Sequence, residues 1–202
     1  MNNKQLLMVF TKNPELGKCK TRLASTIGDE AALKVYKQLL DHTVDFSSKV
    51  NAEKYVYYSK DIQSNDRWNE SIFKKRTQAE GNLGVKMATA FKENFDQGFE
   101  KIVIIGSDCA EIDENDIEHA FQALDESEVV IGPAIDGGYY LLGMRTFIPS
   151  LFQDKSWSTP DLINETISTL KKQQISFSLL KEKSDIDYEE DLERENYVTF
   201  SW

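Results

Sequence analysis

The sequence of 202 residues has few of the features that mark several common classes of protein. It contains only two cysteines, Cys19 and Cys109, and four scattered prolines. Two cysteines are too few for a disulfide scaffold and lack metal-ligand spacing, so we expect a reducing, cytoplasmic setting. No segment approaches the length of a membrane span, and the N-terminus has no secretory-peptide signature. No linker, low-complexity stretch or repeat divides the chain, which predicts a single domain covering residues 1–202.

Positive charge is also scarce over the chain as a whole. The sequence has 24 Lys and Arg against 34 Asp and Glu, a formal net charge of -10 and a pI near 4.8. Binding to nucleic acid or to an anionic membrane needs a broad basic surface, so neither partner is expected. A local group of cations on an acidic body fits a small anionic ligand better.

Strand-like and helix-like segments alternate along the chain. Apolar residues recur at helical spacing in four segments, which begin near Ala32, Gly84, Ile117 and Ile163. Short apolar runs typical of strands lie at 55–58, 102–105, 129–131, 139–142 and 177–180. This alternation predicts an α/β fold with helices on both faces of a mostly parallel sheet, and the run at 102–105 fits its centre.

A basic loop follows the first apolar run, residues 6–10. It contains Gly17, which suits a backbone turn, and four cations: Lys12, Lys18, Lys20 and Arg22. Because the ligand crevice of an α/β sheet lies outside the carboxyl ends of its strands, these cations are placed to pair with phosphate oxygens. A solvated basic loop is the alternative. The loop contains neither G-x-x-x-x-G-K-[ST] nor G-x-G-x-x-G, so neither a Walker loop nor a dinucleotide site is supported.

Two groups of acidic residues are candidates for a divalent metal. Asp108 follows the predicted central strand, where a carboxylate can hold Mg²⁺ together with substrate phosphates. It could instead cap the next segment or order a turn. Asp185 and Asp187 come late in the chain and could face the same crevice. A helix N-terminus capped by Asp187 would explain this second group equally well.

A turn and a helix start complete the candidate site. The segment Asp136-Gly137-Gly138 lies between two apolar runs and has the composition of a hairpin turn. Its glycines would also admit a ligand close to the backbone, with Asp136 meeting a hydroxyl group. Trp157 precedes a predicted helix with Ser158 or Thr159 as cap and Pro160 in the first turn. Its indole could stack on an acceptor or simply pack.

The motifs in this order resemble those of nucleotide-diphospho-sugar transferase-like proteins of the GT-A superfamily. More narrowly, the chain is similar to bacterial radical-SAM/selenodomain-associated transferases, which are related to phospholactate and molybdenum-cofactor guanylyltransferases. The likeness extends from about Leu6 to Leu192. It is carried by Lys12-x-Pro14-x-x-Gly17-Lys18-x-Lys20-Thr21-Arg22-Leu23, Gly106-Ser107-Asp108-Cys109, residues 132–141 and Asp185-x-Asp187-x-x-x-Asp191-Leu192.

The resemblance implies a three-layer α/β/α fold that binds a nucleotide across the first loop. It implies Mg²⁺ or Mn²⁺ on Asp108, with Asp187 or, less closely matched, Asp185 as the second ligand. Lys18, Lys20 and Arg22 would correspond to the phosphate-binding loop of the family. Lys12, Gly17 and Thr21 of the same loop are further candidates for phosphate binding, and Gly137, Gly138 and Trp157 are candidates for the acceptor side. The sequence departs from the family pattern at Asn82, Lys86 and Ala110 and at Tyr188-Glu189.

We therefore expect a metal-dependent transferase in which Lys20, Arg22, Asp108 and Asp136 take part in catalysis. Its substrates would be a small-molecule acceptor and either a nucleotide-sugar, for glycosyl transfer, or a nucleoside triphosphate, for nucleotidyl transfer. The departures from the family pattern support an alternative, a catalytically inactive nucleotide-binding or regulatory protein on the same fold. The sequence leaves the nucleobase, the acceptor and the oligomeric state open.

Overall fold

The computed structural model describes residues 4–193, which form one sheet with helices on both of its faces. The strands are β1 (Gln5–Thr11), β2 (Glu53–Tyr58), β3 (Lys74–Thr77), β4 (Lys101–Ile105), β5 (Val129–Pro133), β6 (Tyr139–Met144) and β7 (Phe177–Leu179). The helices are α1 (Thr21–Ile27), α2 (Asp29–Lys49), α3 (Leu83–Asp96), α4 (Glu114–Glu126) and α5 (Leu162–Gln173). Short 3-10 helices lie at Pro149–Leu151 and Glu189–Glu193.

The seven strands have the order β3-β2-β1-β4-β6-β5-β7. β6 pairs antiparallel with both β4 and β5, and the other neighbouring strands are parallel. The prediction of a mostly parallel sheet is therefore confirmed. From β1, the chain continues to β2 on one side and later to β4 on the other, so the strand order reverses at β1. The crevice outside the carboxyl ends of β1 and β4 is the position at which such sheets bind ligands.

Alternation along the strands produces two apolar layers. On one face of the sheet, buried side chains such as Leu7, Val9 and Val103 pack with α2 and α4. On the other face, their neighbours Leu6 and Met8 pack with α3 and α5. Because successive strand residues point to opposite faces, the apolar runs are continuous where a strand is covered on both sides. The three-layer α/β/α architecture is thus confirmed.

A third, smaller apolar cluster fixes the end of the described chain against α1 and α2. Ile186 is fully buried there with Leu23 of α1 and Val35 and Leu39 of α2. Its two neighbours, Asp185 and Asp187, are only partly buried. Burial of the apolar residue between them therefore positions both carboxylates next to the start of α1.

Two details of the secondary structure differ from the prediction. β3 has the sequence Lys-Lys-Arg-Thr and lies mostly exposed at the sheet edge, so it has no apolar run that would reveal it. The cap assigned to Ser158 or Thr159 is wrong, since α5 begins after Asp161 and has no side-chain cap. Thr159 instead donates its hydroxyl to the Ser156 carbonyl at 2.8 Å.

None of the helices in the described part of the chain is both long enough and apolar enough to cross a membrane.

The N-terminus of α3 provides a test of local stability. The Asn82 side-chain oxygen accepts a hydrogen bond from the Val85 N–H at 3.0 Å and so caps the helix. We predict that Asn82→Ala lowers the free energy of unfolding by about 1 kcal/mol, whereas Asn82→Asp, which keeps an acceptor, stays close to wild type. Urea denaturation of the three proteins measures this. If both variants lost the same free energy of unfolding, the side-chain acceptor of Asn82 would not be what stabilises the helix.

Candidate functional site

A cavity of about 470 Å³ opens outside the carboxyl ends of β1 and β4. It is lined by residues from the basic loop, the loop after β4, the turn before β6 and the segment before the last 3-10 helix. Its charged residues are Lys12, Lys18, Lys20, Arg22, Asp108, Asp136, Asp185 and Asp187. Thr21 and Gly138 also line it. The cavity therefore brings together ten of the thirteen residues that the sequence marked as candidates.

The Lys20 ammonium group lies at the centre of these charges. Its Nζ is 3.0 Å from Asp108 Oδ2 and 3.2 Å from Asp187 Oδ1, and the side chain is only 4% exposed. Lys20 has a φ of 48°, a left-handed conformation that is uncommon outside glycine. Residues held in such conformations are concentrated at ligand sites, where the surrounding structure maintains them. The ion pairs with Asp108 and Asp187 hold Lys20 in this position.

The charges around Lys20 shift the pKa values of Lys20 and of its partner Asp108. Burial alone would lower the pKa of Lys20, but the charges of Asp108, Asp187 and Asp185 outweigh this and raise it above its ordinary value. In return, the Lys20 charge holds the pKa of Asp108 below its usual range. Both groups are therefore charged at neutral pH. They form an ion pair in the lining of the cavity.

Asp185 has a different environment. Its Oδ1 is buried and has no hydrogen-bond partner among the described residues. Burial, and after it the charge of Asp108, raise the pKa of Asp185 to about 7. A buried carboxylate oxygen without a donor is costly to the fold, because desolvation penalises the charged form. This oxygen is a ready acceptor for a bound cation or a ligand donor.

Asp187 points into the cavity and does not cap the helix that follows. Asp191 lies within that 3-10 helix, and its Oδ2 accepts hydrogen bonds from the N–H groups of Asp187 and Tyr188, both at 2.8 Å. The alternative interpretation of Asp187 as a helix cap is not supported, since within residues 4–193 its two carboxylate oxygens contact Lys20 and Arg22. With its backbone held by Asp191, the Asp187 carboxylate contacts Lys20 and also Arg22, at 3.0 Å from Nη1.

The other cations of the basic loop differ in how strongly they are held. Lys18 pairs with Glu15 at 2.6 Å, and Glu15 also pairs with Lys60. Lys12 is exposed, and among residues 4–193 it has no ion pair. Gly17 has a φ of 71°, which allows the turn in the loop, but it does not line the cavity. Lys12 is thus the cation of the loop most available to an incoming anion.

Tyr36 is a site residue that the sequence analysis did not identify. From α2, its hydroxyl accepts a hydrogen bond from the Lys12 N–H at 2.9 Å and donates to the Lys12 carbonyl at 3.0 Å. The same oxygen lies 3.3 Å from Ser107 Oγ. It therefore ties the basic loop to the end of β4, next to Asp108. In the sequence Tyr36 is one of several apolar positions on α2, and only its terminal hydroxyl distinguishes it.

The Asp136-Gly137-Gly138 turn connects β5 to β6, as predicted. Asp136 Oδ1 accepts from the Gly138 N–H at 2.9 Å, which orients the carboxylate at the cavity wall. Gly137 does not line the cavity. A Cβ there would lie 2.2 Å from the Pro160 carbonyl oxygen, and its φ is 87°, so glycine is required for packing and backbone conformation.

Trp157 is also outside the cavity lining. Its ring packs on Gly84 of α3, where an added Cβ would come within 2.4 Å of the indole nitrogen, and makes an edge contact with Tyr139. The structure thus gives Trp157 a packing contact between α3 and β6, and neither it nor Gly137 is placed to touch an acceptor in this cavity.

The cavity is compatible with a divalent metal, although residues 4–193 form no dedicated cage for one. Among the residues described, no group of three or more His, Cys, Asp or Glu side chains is arranged to hold a metal ion. Mg²⁺ is commonly held by one or two carboxylates and by substrate phosphates. Asp108 and the unpartnered oxygen of Asp185 provide hard oxygen ligands of this kind.

The fold is shared with several solved structures. A candidate nucleotide-diphospho-sugar transferase of Desulfovibrio desulfuricans G20 is 24% identical, with a TM-score of 0.85 over 96% of this chain and 93% of its own. A CMP:2-keto-3-deoxy-manno-octonic acid synthetase complexed with CTP is 12% identical, with a TM-score of 0.58 over 94% and 95% of the two chains. The inositol-1-phosphate CTP transferase of T. maritima is 13% identical, with a TM-score of 0.56 over 98% and 94%.

These likenesses define the class of fold, which is that of the nucleotide-diphospho-sugar transferases and cytidylyltransferases. The resemblance drawn from the motifs is thereby confirmed for the fold. A family model matches residues 43–159, more than half of the chain, and the chain belongs to that family, an uncharacterized protein family conserved in bacteria (DUF2064). No protein with a curated description matches it in sequence.

The raised pKa of Asp185 predicts a pH dependence of stability. The pKa of Asp185 rises from 3.8 to about 7 on folding, so between these values the native state binds the proton more readily than the unfolded state. Its contribution to the free energy of unfolding therefore decreases as the pH rises from about 4 to 7. Asp185→Asn, which resembles the protonated form, should be more stable than wild type at pH 8 by about 1–3 kcal/mol and similar at pH 4.

Thermal and urea denaturation with a chelator present would measure this difference. Asp125→Asn serves as a matched control, because Asp125 is an exposed carboxylate outside the cavity. A variant Asp185→Asn that is less stable than wild type at pH 8 would show that the ionised carboxylate stabilises the fold.

Proposed function

We propose that this protein is a metal-dependent transferase that acts on a nucleotide-activated substrate. The observation that carries the proposal is the Lys20 ammonium held between Asp108 and Asp187 in a cavity at the reversal of the strand order. The fold relatives include proteins whose names specify nucleotide-diphospho-sugar or CTP chemistry. Because these relatives are only 12–24% identical to this chain, they support the fold alone. The charged cavity supports the function.

The basic loop is suited to the polyphosphate of the donor. Lys12 is free of ion pairs within the described range, and Arg22 is 57% exposed although it contacts Asp187. Both can turn toward phosphate oxygens, and a guanidinium group can make two parallel hydrogen bonds to them. Charge builds up on the leaving nucleoside diphosphate or pyrophosphate during transfer, and positioned cations stabilise it without a covalent intermediate.

Asp108 and Asp185 are the pair best suited to hold Mg²⁺ or Mn²⁺. Both oxygens of Asp187 are already in contact with Lys20 and Arg22, whereas Asp185 Oδ1 has no partner in the described structure. This assignment reverses the order given by the family motif, which favours Asp187. When bound, such a metal supplies Lewis-acid neutralisation of the donor phosphates.

Asp136 is suited to receive the proton of the attacking group. Its Oδ1 is fixed by the Gly138 N–H, and the residue lines the same cavity as the basic loop. Two reactions fit this arrangement. In glycosyl transfer a nucleotide-sugar donor releases a nucleoside diphosphate, and in nucleotidyl transfer a triphosphate donor releases pyrophosphate.

A thermal-shift screen tests the proposal and separates the two reactions. The purified protein is combined with nucleoside triphosphates and with nucleotide-sugars, each with and without Mg²⁺ or Mn²⁺. A ligand that binds only the native state stabilises it by about 2.7 kcal/mol at a hundredfold excess over its dissociation constant. We expect a metal-dependent shift with one class of donor, and that class identifies the reaction. No shift with any donor would contradict the proposal.

Asp108→Asn should abolish turnover and the metal-dependent part of the shift. Asp125→Asn is the matched control, because Asp125 is a surface carboxylate that pairs with Lys101 away from the cavity. Wild-type activity in Asp108→Asn would remove Asp108 from the mechanism. Nucleotide binding by the wild type without product from any acceptor would favour the inactive, regulatory alternative.

Lys12→Ala should weaken nucleotide binding by roughly tenfold or more, since a hydrogen bond to a charged group contributes about 1.5–3 kcal/mol. The matched control is Lys60→Ala, which removes a cation from the same surface but from outside the cavity lining. Titration calorimetry with the nucleotide from the screen measures both. Equal affinities in the two variants would show that Lys12 does not contact the phosphates.

A further inference from the structure

A second cavity of about 430 Å³ adjoins the first. The two share a wall made of Arg22, Asp136, Ser158, Asp185 and Asp187. The residues found only in the second cavity are Ile135, Thr159, Pro160, Ser184, Tyr188 and Asp191. A donor whose phosphates lie on the basic loop would thus have its reactive end at the shared wall, with the second cavity directly behind it.

The two cavities have opposite electrostatic character. Lys12, Lys18 and Lys20 line only the first. In the second, Arg22 is the one cation among the lining residues described, and its Nη1 is 3.0 Å from Asp187 Oδ2. Four aspartates line the same space, and Asp136, Asp187 and Asp191 outnumber Arg22 even when Asp185 is left to the metal. An acceptor with a phosphate or carboxylate group would meet repulsion there, and buried like charges are strongly unfavourable.

The other groups of the second cavity suit hydroxyl groups and a weakly polar ring. Ser158 is exposed and has a φ of 63°, a strained conformation that the surrounding structure maintains. Tyr188 and Ile135 are 52% and 60% exposed, and they provide apolar surface at the cavity wall. Carboxylates accept hydrogen bonds from hydroxyl groups, while an aromatic ring covers the C–H face of a ring-shaped ligand.

We propose that the second cavity binds the acceptor, and that this acceptor is a polyol or sugar without a phosphate or carboxylate group. The inference rests on the proposed transferase function and names the acceptor class for it. An acceptor hydroxyl oxygen forms the new bond to the transferred group, whose bond to the donor phosphate breaks. The electron pair leaves with the nucleoside diphosphate in glycosyl transfer or with pyrophosphate in nucleotidyl transfer, and the hydroxyl proton passes to Asp136.

Matched pairs of probes test this acceptor class. The pairs are myo-inositol with inositol 1-phosphate, glycerol with glycerol 3-phosphate, and glucose with glucose 6-phosphate. Binding is measured by ligand-observed NMR with excess pyrophosphate and Mg²⁺, which occupy the phosphate positions of the basic loop. We expect at least one unphosphorylated probe to bind roughly tenfold or more tightly than its phosphorylated partner.

Thr159→Lys locates the binding in the second cavity, because Thr159 lines that cavity only. The added cation should reduce or reverse the preference for the unphosphorylated probe, and Thr159→Ser, the matched control, should retain it. Tighter binding of phosphorylated probes by the wild type, no binding of any unphosphorylated probe, or an unchanged preference in Thr159→Lys would each overturn the inference.

The nucleotide thermal shift of the same preparations separates the two proposals. Wild type and both Thr159 variants should show the same metal-dependent shift, since Thr159 is outside the donor cavity. Absence of that shift would reject the transferase proposal itself. A normal shift together with a preference for phosphorylated probes would reject only the acceptor class.

Discussion

The structure of the site depends on one buried cation shared by two carboxylates. Lys20 comes from the loop after β1, Asp108 from the loop after β4 and Asp187 from the segment before the last 3-10 helix, so their ion pairs join parts of the chain that are far apart in sequence. A buried charge is tolerated only when it is paired. The three segments are therefore held at a common point in the first cavity, and Asp187 also lines the second.

Packing in the apolar core fixes the backbone segments that carry the charged residues of the site. Ile186, fully buried against α1 and α2, sets the position of the two acidic residues beside it. Tyr36 does the same for the basic loop, because its hydroxyl binds both backbone groups of Lys12. The charged residues can thus stay near one another without a bound ligand, since their backbones are fixed by packing and by neutral hydrogen bonds.

Much of the fold could be predicted from the sequence because its strands and helices bury apolar side chains at regular spacing. β3 was not predicted, because it is a mostly exposed edge strand of Lys, Lys, Arg and Thr and therefore has no apolar run. The residues of the cavity were found because cations and carboxylates follow strand ends. The contacts between these residues could not be predicted from the sequence: Lys18 is held by Glu15, Asp191 accepts from the Asp187 N–H, and Trp157 packs on Gly84.

The edge strand β3 also affects how copies of the protein meet. A free sheet edge has unpaired backbone groups that can accept a strand from another molecule. Here Lys74 and Arg76 lie over the Tyr55 ring, and Lys75 is held by Asp66 and Glu70. A second chain that added a strand at this edge would have to desolvate the exposed Lys74 and Arg76. The cationic edge is therefore a built-in obstacle to intermolecular sheet extension and to the aggregation that follows from it.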